Sequence, residues 1–232
     1  MVNMLPIAPE ETIKTDMPMP QDEASWEKLN ILFATAKGNI RRNLLSDFTN
    51  IMRNGKIAMK LDEDDSLIGV LPCQDADNVL LASRNGKAIR FAVDEVRVFK
   101  GRGSVGVRGM RLLNKDYLVS MCVIRDPNRE FVLSITENGY GKRTSVGDYR
   151  RTGRGGQGVA NIETSDRNGL VVASFTVFAE DQLMLVTDAG KVIRIRVDGG
   201  EGDTIRVAGR KTQGVRLFEV DGTEKVVSVG VI

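Results

Sequence analysis

The chain has 232 residues, enough for one large or two small domains with a substantial core, and its 41% apolar content suits a folded protein. It holds 24 glycines, 6 prolines, 2 cysteines and no histidine, so the commonest general base and the commonest metal ligand are missing. No apolar run approaches the ~20 residues of a membrane helix, and the acidic N-terminus lacks the pattern of a signal peptide, so a cytoplasmic location is expected.

In chain order, residues 1–20 contain VNMLPI and ETIKT, which resemble the later parts of a unit that repeats downstream; residues 1–27 read as a half-repeat. DEASWEKLN (22–30) offers at most one or two helical turns. ILFATAKGNIRR (31–42) then opens a full unit: an apolar strand, a turn ending in glycine and a basic strand. The same hairpin returns as NVLLASRNGKAIRF (78–91), EFVLSITENGYGKRT (130–144) and QLMLVTDAGKVIRIR (182–196), with turn glycines at Gly38, Gly86, Gly139 and Gly190. Asn85-Gly86 and Asn138-Gly139 predict two-residue turns in which both central residues take positive φ.

A basic, glycine-marked loop running into a short strand forms a second family of segments: NGKIAMKL (54–61), VGVRGMRL (105–112), QGVANI (157–162) and QGVRLFEV (213–220). A third family is a short apolar strand: LIGV (67–70), LVSM (118–121), LVVA (170–173) and VVSV (226–229). Each unit is therefore about four short strands in roughly 50 residues, with units at 28–77, 78–127, 128–179 and 180–232. One such unit cannot bury its apolar faces alone, but a stack can. The pattern predicts an all-β, propeller-like array of about four to five four-stranded blades.

GRGSVG (101–106) and GRGGQG (153–158) both have the glycine spacing of a dinucleotide site. That site needs a helix opening at the third glycine, and here short strands follow, VRGMRL and VANIET. These glycines are expected to shape a repeated loop. GYGKRT (139–144) fails the phosphate-loop pattern, because Arg143 and Thr136 stand where Ser or Thr and Gly are required. Tyr117, Tyr140 and Tyr149 are assigned to packing or loop anchoring, Asp62 to Asp65 to an exposed turn, and Cys73 and Cys122 to buried thiols.

Net charge is only +2, but residues 1–30 sum to −4 and the other 202 residues to +6. The bases cluster at equivalent places in the units: Arg41, Arg42, Arg53 and Lys56; Lys100, Arg102, Arg108 and Arg111; Lys142, Arg143, Arg150, Arg151 and Arg154; Arg206, Arg210, Lys211 and Arg216. On one rim of a disc these make a curved track for a polyanion, the obvious one being a nucleic-acid backbone. Aromatics are sparse in these loops, which favours a bent duplex over a single strand. A propeller that contacts a partner protein through its charged rim is the competing reading.

TENGYGKRT (136–144), RNGLVV (167–172), TDAGKVIR (187–194) and GRKTQGV (209–215) closely resemble the C-terminal domain of the A subunit of bacterial DNA gyrase, in order across nearly the whole chain. The resemblance implies a β-pinwheel, in which neighbouring blades share strands, and a basic rim that wraps double-stranded DNA to support negative supercoiling. It also implies a nucleoid-associated protein without a cofactor of its own. The cleavage tyrosine would lie in the rest of the gyrase A subunit. The parent complex, completed by the gyrase B subunit, would use ATP and Mg2+. The equivalent domain of topoisomerase IV is the nearest alternative. The glutamine-led basic motif of the family has only a degenerate counterpart, TGRGGQG (152–158), with Thr152 in place of the glutamine.

Overall fold

The computed structural model describes residues 13, 15, 17–50, 55–113, 115–200 and 204–232; most of the half-repeat lies outside these residues, and so does Arg53. The hairpins supply β1 (Asn30–Thr35) and β2 (Asn39–Leu44), β4 (Asn78–Ser83) and β5 (Lys87–Ala92), β8 (Phe131–Thr136) and β9 (Tyr140–Ser145), and β12 (Gln182–Thr187) and β13 (Val192–Arg196). The apolar third family becomes β3 (Leu67–Cys73), β7 (Leu118–Ile124), β11 (Val171–Val177) and β15 (Val226–Val231). The glycine-marked loops contribute two-residue strands, β6 (Val107–Arg108), β10 (Val159–Ala160) and β14 (Val215–Arg216).

The strands form antiparallel sheets in the orders β3-β1-β2-β6, β7-β4-β5-β10, β11-β8-β9-β14 and β15-β12-β13. The sheets therefore cross the units of the sequence. Each of the first three completes itself with a strand from the following unit, whereas the fourth has three strands among the described residues. The result is an all-β, propeller-like β-pinwheel. Strands β3, β7, β11 and β15 touch one another in succession and line the inner side of the array, so β6, β10 and β14 lie on its outer edge.

Alternation along the strands builds the core. On β1, Leu32 and Ala34 face the second sheet and join Val79, Leu81 and Phe91. Leu80, Ala82 and Cys122 of the second sheet meet Val132 of the third and Tyr149 of the loop after β9, and Leu133 and Ile135 meet Leu183 and Leu185 of the fourth. Ile31 and Phe33, on the other face of β1, are covered by Leu45, Phe48 and Trp26. Trp26 sits in a short 3-10 turn, Glu23–Glu27, that Asp22 caps by accepting from the Ala24 amide at 3.1 Å. Cys73 and Cys122 are buried free thiols, and burial pushes both up to about 12.

The hairpin turns differ from expectation. Gly86 has φ +82°, but Asn85 does not take positive φ. The Gly86 amide donates to the Ser83 carbonyl at 3.1 Å, so Arg84 and Asn85 form an ordinary turn and the glycine makes the bulge after it. Thr35/Gly38, Thr136/Gly139 and Thr187/Gly190 repeat that bond at 3.0–3.1 Å. The hydroxyls of Thr35, Ser83 and Thr187 also accept from the amide of the residue that follows the turn glycine, at 3.2–3.3 Å. A hydroxyl residue at the turn entry therefore stabilises the longer loop over the two-residue form.

A candidate nucleic-acid interface on the outer rim

The loops that carry the basic residues are held in place by the sheets before them. Phe99 donates its amide to the Arg42 carbonyl at 2.8 Å, Thr152 to Arg90 at 2.9 Å and Ala208 to Arg143 at 2.9 Å. The loop then returns as the outermost strand, Val107 opposite Ile40, Val159 opposite Ala88 and Val215 opposite Gly141. Gly106 and Gly158, the third glycines of the two nucleotide-like motifs, make this return possible. Their φ values are +93° and +74°, and a Cβ would lie 2.3 Å from the carbonyl oxygens of Ile40 and Ala88. Gly106 leads directly into β6, a strand and not a helix.

Four of the predicted interface residues are not on the rim surface. Arg41, Arg42, Lys142 and Arg143 lie in β2 and β9 and are at most 5% exposed. Arg41 donates through Nε to Asn43 and through Nη1 to the Ser104 carbonyl and hydroxyl, at 2.8, 2.5 and 2.7 Å, with its guanidinium 4.7 Å from the Phe99 ring centre. Arg42 pairs with Asp75 at 2.7 Å, and Arg143 with Asp198 at 2.8 Å and the Ile205 carbonyl at 2.8 Å. Lys142 donates to the Gly209 carbonyl at 2.5 Å; burial, with Arg210 nearby, brings its pKa down to about 8. Arg41, Lys142 and Arg143 anchor rim loops from inside, whereas Arg42 ties its strand to the turn after β3. Charged side chains are so seldom buried that the sequence places them on the surface. Arg90, outside the predicted set, does the same work by donating to the Val146 and Tyr149 carbonyls at 3.0 and 3.3 Å.

The other predicted residues do gather on the rim. Lys100, Arg108, Arg111, Arg150, Arg151, Arg154, Arg206, Lys211 and Arg216 are exposed, and Lys56, Arg102 and Arg210 are half-buried. Their loops join one another directly. The Lys60 amide donates to Ser104 at 3.4 Å, the Arg111 amide to Gly156 at 2.8 Å and the Gly155 amide to Gly109 at 2.6 Å. Arg154 Nη1 reaches the Arg108 carbonyl at 3.1 Å, Arg210 Nη1 the Ala160 carbonyl at 3.0 Å, and the Glu163 amide the Thr212 carbonyl at 3.0 Å. Segments far apart in sequence thus form one ridge across the sheets. Among the described residues, Arg216 alone of these rim cations pairs with a carboxylate, Glu219 at 3.3 Å. The ridge therefore keeps most of its positive charge available to a ligand.

Two further cations lie close to this set. The Arg167 guanidinium stands 4.9 Å from the Tyr140 ring centre, and Arg216 Nη2 donates to the Tyr140 hydroxyl at 3.1 Å. Hydrogen bonds from these two arginines, Arg216 first, lower the Tyr140 pKa. Lys225 donates to Asn138 at the neighbouring turn. Arg167 lies in RNGL, whose sequence carries a family resemblance and no sign of a binding role. No local pattern places it against Tyr140, 27 residues earlier.

The family described as DNA gyrase C-terminal domain, beta-propeller, matches residues 29–74, 77–124, 130–177 and 181–232. The DNA gyrase A subunit of Rickettsia bellii is 43% identical over 278 residues, covering 100% of this chain and 30% of that protein. The DNA gyrase A subunit of Escherichia coli is 40% identical over 228 residues, covering 98% and 25%. The chain thus spans 25–30% of the length of these relatives. A solved DNA gyrase A C-terminal domain superposes with a TM-score of 0.77 at 27% identity, over 88% of this chain and 66% of that one. The C-terminal domain of DNA topoisomerase IV superposes at 0.86 with 24% identity, over 100% and 69%, a likeness of fold. With all four units of the sequence matched, the chain belongs to the DNA gyrase C-terminal domain family.

Proposed function

We propose that the outer ridge holds the phosphate backbone of duplex DNA and bends it around the array, as the DNA-wrapping accessory domain of a gyrase. The observation that carries the reading is the continuity of the ridge: exposed, largely unpaired cations on loops that hydrogen-bond to one another from sheet to sheet. A row of separate cations suits a regular polyanion, and each phosphate neutralised releases counterions from the DNA. Main-chain amides in the glycine-rich loops add uncharged donors beside the arginines. Phe99 and Tyr149 are buried and the half-buried Phe218 packs against the core, so the ridge offers phosphate contacts and no stacking platform.

In this reading the chain performs no chemistry of its own. It works in the bacterial cytoplasm, at the nucleoid, and presents DNA to the cleavage core of the gyrase A subunit. The gyrase B subunit supplies ATP hydrolysis with Mg2+, and the outcome is negative supercoiling.

The test is a salt series with a short duplex, reading affinity by fluorescence anisotropy. The logarithm of the binding constant should fall linearly with the logarithm of salt, whatever the DNA sequence. The double variant Arg150→Ala/Arg151→Ala should bind more weakly, with a slope smaller by about 2, since each phosphate left without its cation removes about 0.9. A salt-insensitive affinity, or a double variant indistinguishable from wild type, would reject the ridge as the DNA site.

A further inference from the structure

The gap between consecutive sheets is filled from the same four places at each of three junctions. Two places face each other on neighbouring strands of the later sheet: Leu81 opposite Met121, Ser134 opposite Ser174, and Leu185 opposite Val229. The third opens the rim loop, two residues before the loop meets the earlier sheet: Val96, Tyr149 and Ile205. The fourth closes it, two residues past the start of the outer strand: Gly109, Asn161 and Leu217. The first and last junctions are apolar, with a glycine where Leu81 comes close. The middle junction is polar at all four places.

That middle set is a closed network. Ser134, Asn161 and Ser174 are 0% exposed and Tyr149 is 1% exposed. Ser134 Oγ donates to Asn161 Oδ1 at 3.1 Å, and Asn161 Nδ2 donates to Ser174 Oγ at 2.9 Å. The two serine hydroxyls lie 2.7 Å apart, so Ser174 completes a ring by donating to Ser134. The Tyr149 hydroxyl donates to Asn161 Oδ1 at 2.6 Å. Burial pushes the Tyr149 phenol above its ordinary pKa, so the hydroxyl keeps the proton it donates. The Ser174 amide extends the network to Ser120 Oγ on β7, at 2.9 Å, and so to the inner strand of the second sheet.

Hydrogen bonds are directional, and a fully satisfied buried network holds its members in one arrangement. Apolar cores repack more readily. Tyr149 is followed directly by the exposed Arg150 and Arg151, and Asn161 ends the same loop. The Tyr149–Asn161 bond therefore ties together the two ends of the loop that carries Arg150, Arg151 and Arg154.

We propose that Tyr149 and Asn161 are positioning residues for DNA wrapping, which hold the middle rim loop against the recoil of a bent duplex. The proposal rests on the DNA reading above and assigns the pair to curvature, not to affinity. Bending a duplex costs elastic energy, so the duplex pushes back on the groups that bend it. A loop that yields lets the DNA straighten while its arginines stay on the phosphates.

Tyr149→Phe tests this, because it removes the hydroxyl, keeps the ring and leaves Asn161 Oδ1 its bond from Ser134. The first readout is amide hydrogen exchange without DNA. The Thr152 amide, which donates to the Arg90 carbonyl, should exchange roughly threefold to tenfold faster in the variant. The matching amides of Phe99 and Ala208 should keep their rates. With a short duplex, the variant should match wild type in affinity and salt slope. On relaxed plasmid, compared at equal amounts of bound chain, its linking-number shift should be smaller. Unchanged exchange at Thr152 would overturn the proposal, and so would a variant that is less stable yet wraps as wild type does. A wild type that does not bind DNA would reject the DNA reading and this proposal with it; a wild type that wraps beside an unaffected variant would reject this proposal alone.

Discussion

Lys142 has its ammonium inside the protein, on the Gly209 carbonyl, with its pKa brought down to about 8 by burial first and Arg210 second. Between pH 8 and its ordinary value of 10.5, the folded chain has released this proton and the unfolded chain still holds it. The unfolded state then binds more protons, so this group makes the protein more stable as pH rises through that window. Cys73 and Cys122 act the other way above their ordinary value of 9.0, since the unfolded thiols ionise first. A comparison of wild type with Lys142→Met cancels the cysteines. The folding equilibrium of wild type should gain on that of the variant by up to roughly tenfold per pH unit between pH 8 and 10. Denaturant unfolding at several pH values measures the difference; curves that stay parallel would place the ammonium in water.

The rim loops depend on how strands from different units meet. GRGSVG contains an internal control, because its glycines differ in what they touch. Gly106→Ala would drive a methyl into the Ile40 carbonyl at a positive φ, while a Cβ on Gly103 would meet nothing within 4 Å. Gly106→Ala should cost about 1–3 kcal/mol or more, and Gly103→Ala should stay within about 0.5 kcal/mol of wild type. Chemical denaturation decides; equal costs would contradict the close approach of β6 to β2. The same junction explains what the sequence revealed. Hairpins, apolar third strands and the fifty-residue period were legible because each rests on local alternation and turn residues. The handing of β6, β10 and β14 to the preceding sheet was not, since two-residue strands carry no period of their own; only the family resemblance implied shared strands. Arg41, Arg42, Lys142 and Arg143 misled because composition cannot tell a solvated cation from one that starts inside a blade and bonds to carbonyls or, for Arg42, to a carboxylate.

At the scale of the molecule, charge and topology follow the same plan. Each shared strand brings the loop ahead of it onto the edge of the preceding sheet, so the loops meet in sequence order around the rim and their cations align. The residues that keep the ridge rigid lie beneath it, and those free to bind a polyanion lie on it. A ridge that follows a curved array should impose that curve on a bound duplex, which distinguishes wrapping from mere attachment. The most direct measurement incubates relaxed plasmid with the purified chain and a nicking-closing topoisomerase, removes protein and reads the linking number by gel. The account predicts a shift of one sign that grows with the amount of protein and disappears in Arg150→Ala/Arg151→Ala. An unchanged linking number under conditions where the plasmid is bound would contradict wrapping.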